Sequence, residues 1–188
     1  MMQHLLRAHI EELFPLTDAD FAVVLARFTC KRFKKHQFLV QAGELVTCNY
    51  LVVSGLLKLV HTDEAGKQHF LSFAMENWWE TDFQAFYTQT PATLSLECLE
   101  DTIVYCLPRA DYQALCATVP QMANFFLHKL ALHSIAAQQR LLSLLTTSAQ
   151  ERYELLLRKY PALTQRLSKT LLASYLGVSR ETLSRLPI

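Results

Sequence analysis

No apolar run in this chain of 188 residues is long enough to cross a bilayer, so no membrane-spanning helix is expected. The first residues, MMQHLLRAHIEELF, carry Glu11 and Glu12 within an apolar pattern, which reads as an amphipathic helix and not as a signal peptide. The five cysteines, Cys30, Cys48, Cys98, Cys106 and Cys116, are odd in number and contain no CxxC pair. Spaced, buried thiols in a reducing cytoplasm are the expectation, without a disulfide framework. No spacing of histidines assembles three ligands, so no metal site is expected. A nucleophile with its base is equally hard to assemble, which argues against an enzyme.

What is present is enough for a real core: 51% of the residues are hydrophobic, in a length that suits one large domain or a medium domain with a small appendix. The net charge of +1 hides an uneven distribution. Residues 146–188 carry seven Lys or Arg against three Asp or Glu, whereas residues 1–145 carry eleven against fourteen. An excess of that size helps to hold phosphates without proving that nucleic acid is the partner.

The most informative stretch lies in this basic end, SKTLLASYLGVSRETLSRL over 168–186. As two short helices it brings together Leu172, Leu176, Val178, Leu183 and Leu186, with small Ala173 at the crossing and Gly177 at the corner, a helix-turn-helix pattern. Gly177 suits the turn because it takes a positive φ without a Cβ clash. Ser168 and Ser179 are each placed to cap one helix. At 100° per residue, Arg180, Ser184, Glu181 and Arg185 fall within an arc of about 140°, opposite Leu183 and Leu186. Guanidinium forks and a carboxylate on one face suit the major groove, where Arg reads guanine and Glu accepts from cytosine. On periodicity alone, an ordinary helical hairpin with a solvated charged face stays open beside this reading.

In chain order, the first helix is followed by a second over TDADFAVVLARF, with Thr17 as cap. Short β-branched and aromatic runs follow without intervening helices: HQFLV, NYLVVSG, LLKLVHT, KQHFLSF, TLSLECL and TIVYCLP. They argue for a β-sandwich or roll. The Glu64, Ala65, Gly66, Lys67 step reads as a hairpin turn pairing Thr62 with His69, a register that points His61 and His69 to opposite faces. Lys31, Arg32, Lys34 and Lys35 fit a charged edge strand or a phosphate patch. A helix returns at PRADYQALCATV, and a long one runs from Pro120 toward Thr146. On it Ala123, Leu127, Leu130, Ser134, Ala137, Leu141 and Leu144 alternate by four and three, the seam of two helices packed lengthwise or of one helix packed on its own roll. Ser148 to Glu151 then forms a capping box for a helix ending before Pro161.

An antiparallel roll, a long helix and a terminal helix-turn-helix together resemble the Crp/Fnr superfamily of transcription regulators. The motifs are QAGE at 41–44, YLVVSGLLKL at 50–59, the hairpin DEAGK at 63–67, and GVSRETLSRL at 177–186. The resemblance implies an α+β fold: a jelly-roll (double-stranded β-helix) sensor domain over 1–118, a connecting and dimerisation helix over 119–146, and a DNA-binding region over 147–188. It also implies a cytoplasmic homodimer on double-stranded DNA, seamed through Leu127, Leu130, Ser134, Ala137, Leu141 and Leu144. Arg180, Glu181, Ser184 and Arg185 would face the bases, with Ser168, Lys169 and Ser179 near phosphates.

The ligand pocket departs from that family. Cyclic-AMP-binding members use a Gly-Glu step for the ribose and, about ten residues on, an Arg for the cyclic phosphate. Alignment puts Thr81 and Asp82, followed by Phe83, at the first place and Ala92 or Thr93 at the second. Between Lys67 and Arg109 there is no Lys or Arg, while Glu76, Glu80, Asp82, Glu97, Glu100 and Asp101 add negative charge. A buried phosphate without a cation pays a heavy desolvation cost. No cyclic nucleotide is therefore expected to bind in the family's manner, and no haem or iron-sulfur cluster is expected. The pocket is either empty or takes a less anionic, unidentified effector against Trp78, Trp79, Phe83 and Phe86, which equally serve as core. Pro187 and Ile188 follow the recognition helix directly, so no β-wing is expected. The competing reading is a ligand-binding or scaffolding module with a vestigial helix-turn-helix.

Overall fold

The computed structural model describes residues 2–186. Pro187 and Ile188, on which the expected missing wing rests, lie outside the described residues. The chain divides into two compact units, Met1–Leu130 and Ala131–Ile188.

The first unit opens with α1 (Met2–Glu11) and α2 (Asp18–Leu25), continues through β1 (Thr29–Phe33), β2 (Phe38–Val40), β3 (Cys48–Ser54), β4 (Leu57–Thr62), β5 (Gln68–Ala74) and β6 (Trp79–Glu80), and then forms the short helix α3 (Phe83–Thr88). β7 (Ser95–Cys98), β8 (Thr102–Pro108) and α4 (Arg109–Thr118) lead into the long α5 (Pro120–Thr146), within which the division between the units falls. All the strand pairings are antiparallel and make two four-stranded sheets, ordered β1-β8-β3-β6 and β2-β7-β4-β5. This is the expected roll.

Alternation along the strands explains the two cores. Tyr50, Val52, Val104 and Cys106 point between the sheets and meet Leu57, Leu59, Leu96 and Cys98. Their neighbours Leu51, Tyr105 and Leu107 point the other way, onto Leu6 and Ile10 of α1, Leu115 of α4 and Phe125 of α5. Strands β3 and β8 are thus covered on both faces, which is why they read as continuous apolar runs. Each fully buried Leu or Phe contributes about 1.5–3 kcal/mol through the water it no longer orders. Gly55, between β3 and β4, has φ of 106°, and a Cβ there would run into the backbone and side chain of Thr102, so the turn tolerates no side chain.

Three details differ from expectation. The β4–β5 turn closes one residue early, because the Asp63 carboxylate accepts from the backbone N–H of Ala65 at 3.1 Å and of Lys67 at 2.9 Å. Thr62 therefore pairs with Gln68, and His61 lies opposite His69 on one face, ring centroids 6.4 Å apart, instead of on opposite faces. A bulge at Leu71 then restores the expected register, with Leu59 opposite Ser72. Among the described residues no group of three His, Cys, Asp or Glu side chains gathers around the facing histidines; His69 Nε2 instead lies 2.7 Å from Asp63 Oδ2. Secondly, β1 carries Lys31 and Arg32 and is an edge strand with β8 as its neighbour, so Cys30 is exposed where a buried thiol was expected. Finally, β6 and α3 interrupt what the sequence presents as an all-strand stretch.

The second unit contains the rest of α5, then α6 (Ala149–Lys159), α7 (Pro161–Arg166), α8 (Lys169–Leu176) and α9 (Arg180–Ser184). The capping box forms as expected: Ser148 Oγ accepts from Glu151 N at 3.3 Å, and Glu151 Oε2 accepts from Ser148 N at 2.7 Å. Thr164 and its neighbours form a short extra helix where the sequence shows a break at Pro161, the proline taking the first helical position that suits it.

Candidate nucleic-acid interface

Helices α8 and α9 form the corner that the spacing demands. Ser168 Oγ accepts from Leu171 N at 3.2 Å and Ser179 Oγ from Thr182 N at 3.1 Å, so each serine satisfies a donor that its helix leaves open. Gly177 ends α8 with φ of 72°, and Leu172, Ala173, Leu176 and Leu183 are buried. Val178 and Leu186 are half-buried.

Burying Leu183 decides what α9 shows to solvent. Arg180, Glu181, Ser184 and Arg185 are all exposed, as are Ser168, Lys169 and Ser179 at the two helix starts. The ridge therefore carries two guanidinium groups and one carboxylate. Glu181 is held below the ordinary carboxylate range by its own backbone N–H first and by the Ser179 hydroxyl second, so at neutral pH it is an acceptor.

Two residues of this site carry no local sequence signal. Arg140 of α5 lies with its guanidinium carbon 3.8 Å above the Tyr175 ring and donates from Nη2 to the Tyr175 carbonyl at 2.9 Å. Burial draws its pKa below the ordinary guanidinium value. Arg152 of α6 donates from Nε to the Leu176 carbonyl at 3.0 Å and from Nη1 to the Thr147 carbonyl. Both act across long sequence separations, which periodicity does not report.

Along α5, the residues expected in a lengthwise seam stand open to solvent: Leu127 is 67% exposed, Leu141 59%, and Leu130, Ser134, Ala137 and Leu144 are exposed as well. By contrast Met122, Phe125 and Phe126, in the first turns of α5, are buried.

In the roll, the positions aligned with a ligand pocket are occupied by the protein's own contacts. Thr81 is fully buried and donates from Oγ1 to the Cys48 carbonyl at 3.0 Å. Asp82 is 1% exposed. Its Oδ1 caps α3 by accepting from Ala85 N at 3.1 Å, while Oδ2 accepts from Thr93 N at 2.9 Å and Leu94 N at 3.1 Å. Ala92 is buried and Thr93 exposed, Phe83 is half-buried, and Phe86 is fully buried in the core between the sheets. Trp79 packs with the helical layer on the outer face of the first sheet. Lys58 lies buried on β4, but it faces away from Leu57 and Leu59 and is held by Glu97 Oε2 at 2.8 Å and Gln68 Oε1 at 3.1 Å.

The comparisons with known proteins agree with this architecture. Residues 30–119 match the sequence model of the cyclic nucleotide-binding domain family. No curated protein sequence matches the chain. Among solved structures, FixK2 from Bradyrhizobium japonicum is similar at 21% identity with a TM-score of 0.72, over 84% of this chain and 81% of that one. The catabolite activator protein of Thermus thermophilus is 25% identical with a TM-score of 0.57, over 92% of this chain and 83% of that one. A protein from Eubacterium rectale assigned to the Crp/Fnr transcriptional regulators is 17% identical with a TM-score of 0.71, over 93% of this chain and 85% of that one. The roll is thus a cyclic nucleotide-binding domain by fold. With its long following helix, the chain has the architecture of the Crp/Fnr family of transcription regulators. No helix among the described residues is long and apolar enough to cross a membrane.

Proposed function

We propose that the chain is a dimeric, DNA-binding transcription regulator of Crp/Fnr type, not an enzyme, whose roll does not take cyclic AMP or cyclic GMP in the usual mode. The observation that carries the reading is the outward ridge of α9, with Arg180, Glu181, Ser184 and Arg185 exposed above buried Leu183. Such a ridge fits the major groove, and the serine-capped helix starts suit the flanking phosphates. The exposed leucines of α5 support a second copy as the partner that covers them, two protomers then reading half-sites about one helical turn apart.

The test is a gel shift at low salt with duplexes selected from random sequence. Wild type is expected to separate selected from scrambled duplex, and Arg180→Ala or Arg185→Ala to lose about 1–3 kcal/mol at the base that each reads. Equal retention of all duplexes by wild type and both variants would favour the scaffolding module with a vestigial helix-turn-helix.

For the nucleotide, three features argue together. The span 68–108 carries no Lys or Arg, Lys58 is already paired with Glu97, and both oxygens of Asp82 are engaged by backbone N–H groups. A cyclic phosphate in the roll would meet no free cation there, and its desolvation would go uncompensated. Titration calorimetry with cyclic AMP and cyclic GMP is expected to show no heat of binding at micromolar nucleotide; saturable micromolar binding overturns this part of the reading. An effector, if the roll takes one, is less anionic than a nucleotide, and no cofactor is assigned to the site.

A further inference from the structure

We propose that Arg140 and Arg152 form a guanidinium clamp on the carboxyl end of α8 that fixes the direction in which α9 leaves the turn, and so act as positioning residues for base recognition. The proposal rests on the DNA-binding reading above and adds to it residues that do not touch DNA. A helix leaves its last four carbonyls without intrahelical donors, and those of α8 belong to Ala173, Ser174, Tyr175 and Leu176. The turn's own backbone serves the first two. Val178 N donates to Ala173 O at 3.0 Å and Gly177 N to Ser174 O at 3.1 Å, the reciprocal pattern of a glycine-terminated helix. The other two are served from outside: Tyr175 O by Arg140 of α5 at 2.9 Å, and Leu176 O by Arg152 of α6 at 3.0 Å. Every terminal carbonyl of α8 is thereby matched to a donor.

The location makes this more than a cap. Leu176 is separated from the first exposed residue of the ridge, Arg180, by the turn Gly177, Val178 and Ser179. Helix α9 has five residues, Arg180–Ser184, of which Leu183 is buried, so it has little packing with which to set its own angle. Whatever holds the end of α8 sets the start of α9. The clamp does so from two sides, because its arms come from α5 and α6, and the Tyr175 ring beneath Arg140 fixes the plane of one guanidinium. Burial is the main cause that draws the Arg140 guanidinium down, and the like charge of Arg152 adds to it. The negative end of the α8 dipole offsets this repulsion. Gly177 also lies against Leu144, whose Cδ2 would be 3.3 Å from a Cβ at that position. Helix α5 thus contacts the turn through Leu144 as well as Arg140, and Leu144 belongs to the proposed dimer seam.

The experiment uses the full chain with Arg140→Gln, Arg152→Gln and the charge-preserving Arg140→Lys. Affinity is measured over a range of salt for a duplex selected from random sequence and for a scrambled duplex, and amide hydrogen exchange is followed at residues 177–182. In both glutamine variants exchange at 177–182 is expected to speed up by about tenfold and affinity for the selected duplex to fall by about tenfold, as when a hydrogen bond to a charged group is lost. Affinity for the scrambled duplex and the salt slope should stay as in wild type, because phosphate contacts are untouched. Arg140→Lys should fall between, since an ammonium donates to a carbonyl but cannot lie flat on the ring. Unchanged exchange in both glutamine variants overturns the clamp. An equal loss on both duplexes with a slope reduced by about one overturns it too, as it would make these arginines phosphate contacts. If wild type does not separate the two duplexes, the regulator reading falls and the exchange data alone decide the clamp.

Discussion

Asp82→Ala is expected to destabilise the roll by about 3–5 kcal/mol, the combined cost of a lost helix cap and of buried donors left without an acceptor. Asp82 is 1% exposed and its two oxygens serve different parts of the chain. Oδ1 holds Ala85 N at the start of α3, and Oδ2 holds Thr93 N and Leu94 N, eleven and twelve residues further on. The carboxylate is therefore the tie across the segment from α3 to β7. Asp82→Asn should cost nearly as much, because an amide offers one oxygen and its NH2 group would confront a backbone donor on the other side. Both tryptophans, Trp78 and Trp79, lie in this unit, so intrinsic fluorescence in urea reports its unfolding separately from the helix-turn-helix. The expected result is a lower midpoint at unchanged slope. A midpoint within error of wild type would mean that water replaces the carboxylate without cost, and that Asp82 does not tie this segment.

That double character of Asp82 shows where sequence reading reaches its limit. The helix-turn-helix is legible because its determinants are local: Ser168 and Ser179 cap within three residues, Gly177 takes its left-handed φ by itself, and leucines at helical spacing find one another. The strands of the roll are legible for the same reason, each being a short run with its own turn signals. By contrast, β6 has two residues and α3 six, and both exist because Asp82 and Thr81 are gripped from Thr93, Leu94 and Cys48. Nothing within the stretch itself announces that. The β4–β5 register failed by one residue because a single side chain, Asp63, chose where the turn closes, and the Leu71 bulge hid the slip from the apolar alternation on the far side. Arg140 and Arg152 were invisible for a related reason. A guanidinium on a half-polar helix looks solvated until the carbonyl that it serves, 35 or 24 residues away, is known. Local capping and periodicity thus place the ridge of α9, while long-range polar contacts place what steadies it.

Acid is expected to weaken the first unit through His9, by roughly 3 kcal/mol between neutral pH and pH 4. His9 lies on α1 with its side chain 2% exposed, edge-on to Phe125 at 5.6 Å between centroids. Trp79 Nε1 donates to its Nε2 at 3.1 Å, which puts the proton of the neutral ring on Nδ1. That Nδ1 is the buried polar side-chain atom without a hydrogen-bond partner among the described residues; the nearest acid, Glu12, stays 3.9 Å away and exposed. Burial, and then the positive charge of Lys129, push the imidazole down from 6.5 to about 4. In the unfolded chain the ring takes its proton near 6.5, so the unfolded state binds more protons over the whole interval between the two values. The stability is fully present above 6.5, declines by about 1.4 kcal/mol per pH unit as the pH falls, and levels off below about 4, where the folded protein is protonated too. Other groups titrate in the same range, so the measurement is the difference between wild type and His9→Gln, whose amide oxygen can still accept from Trp79 while carrying no titrating proton. Urea midpoints between pH 7 and pH 4 should fall more steeply for wild type than for the variant, with the gap opening below 6.5. Parallel curves would show that His9 is protonated in the folded protein at ordinary cost, and that the aromatic layer joining α1, β6 and α5 is open enough to solvate a charge.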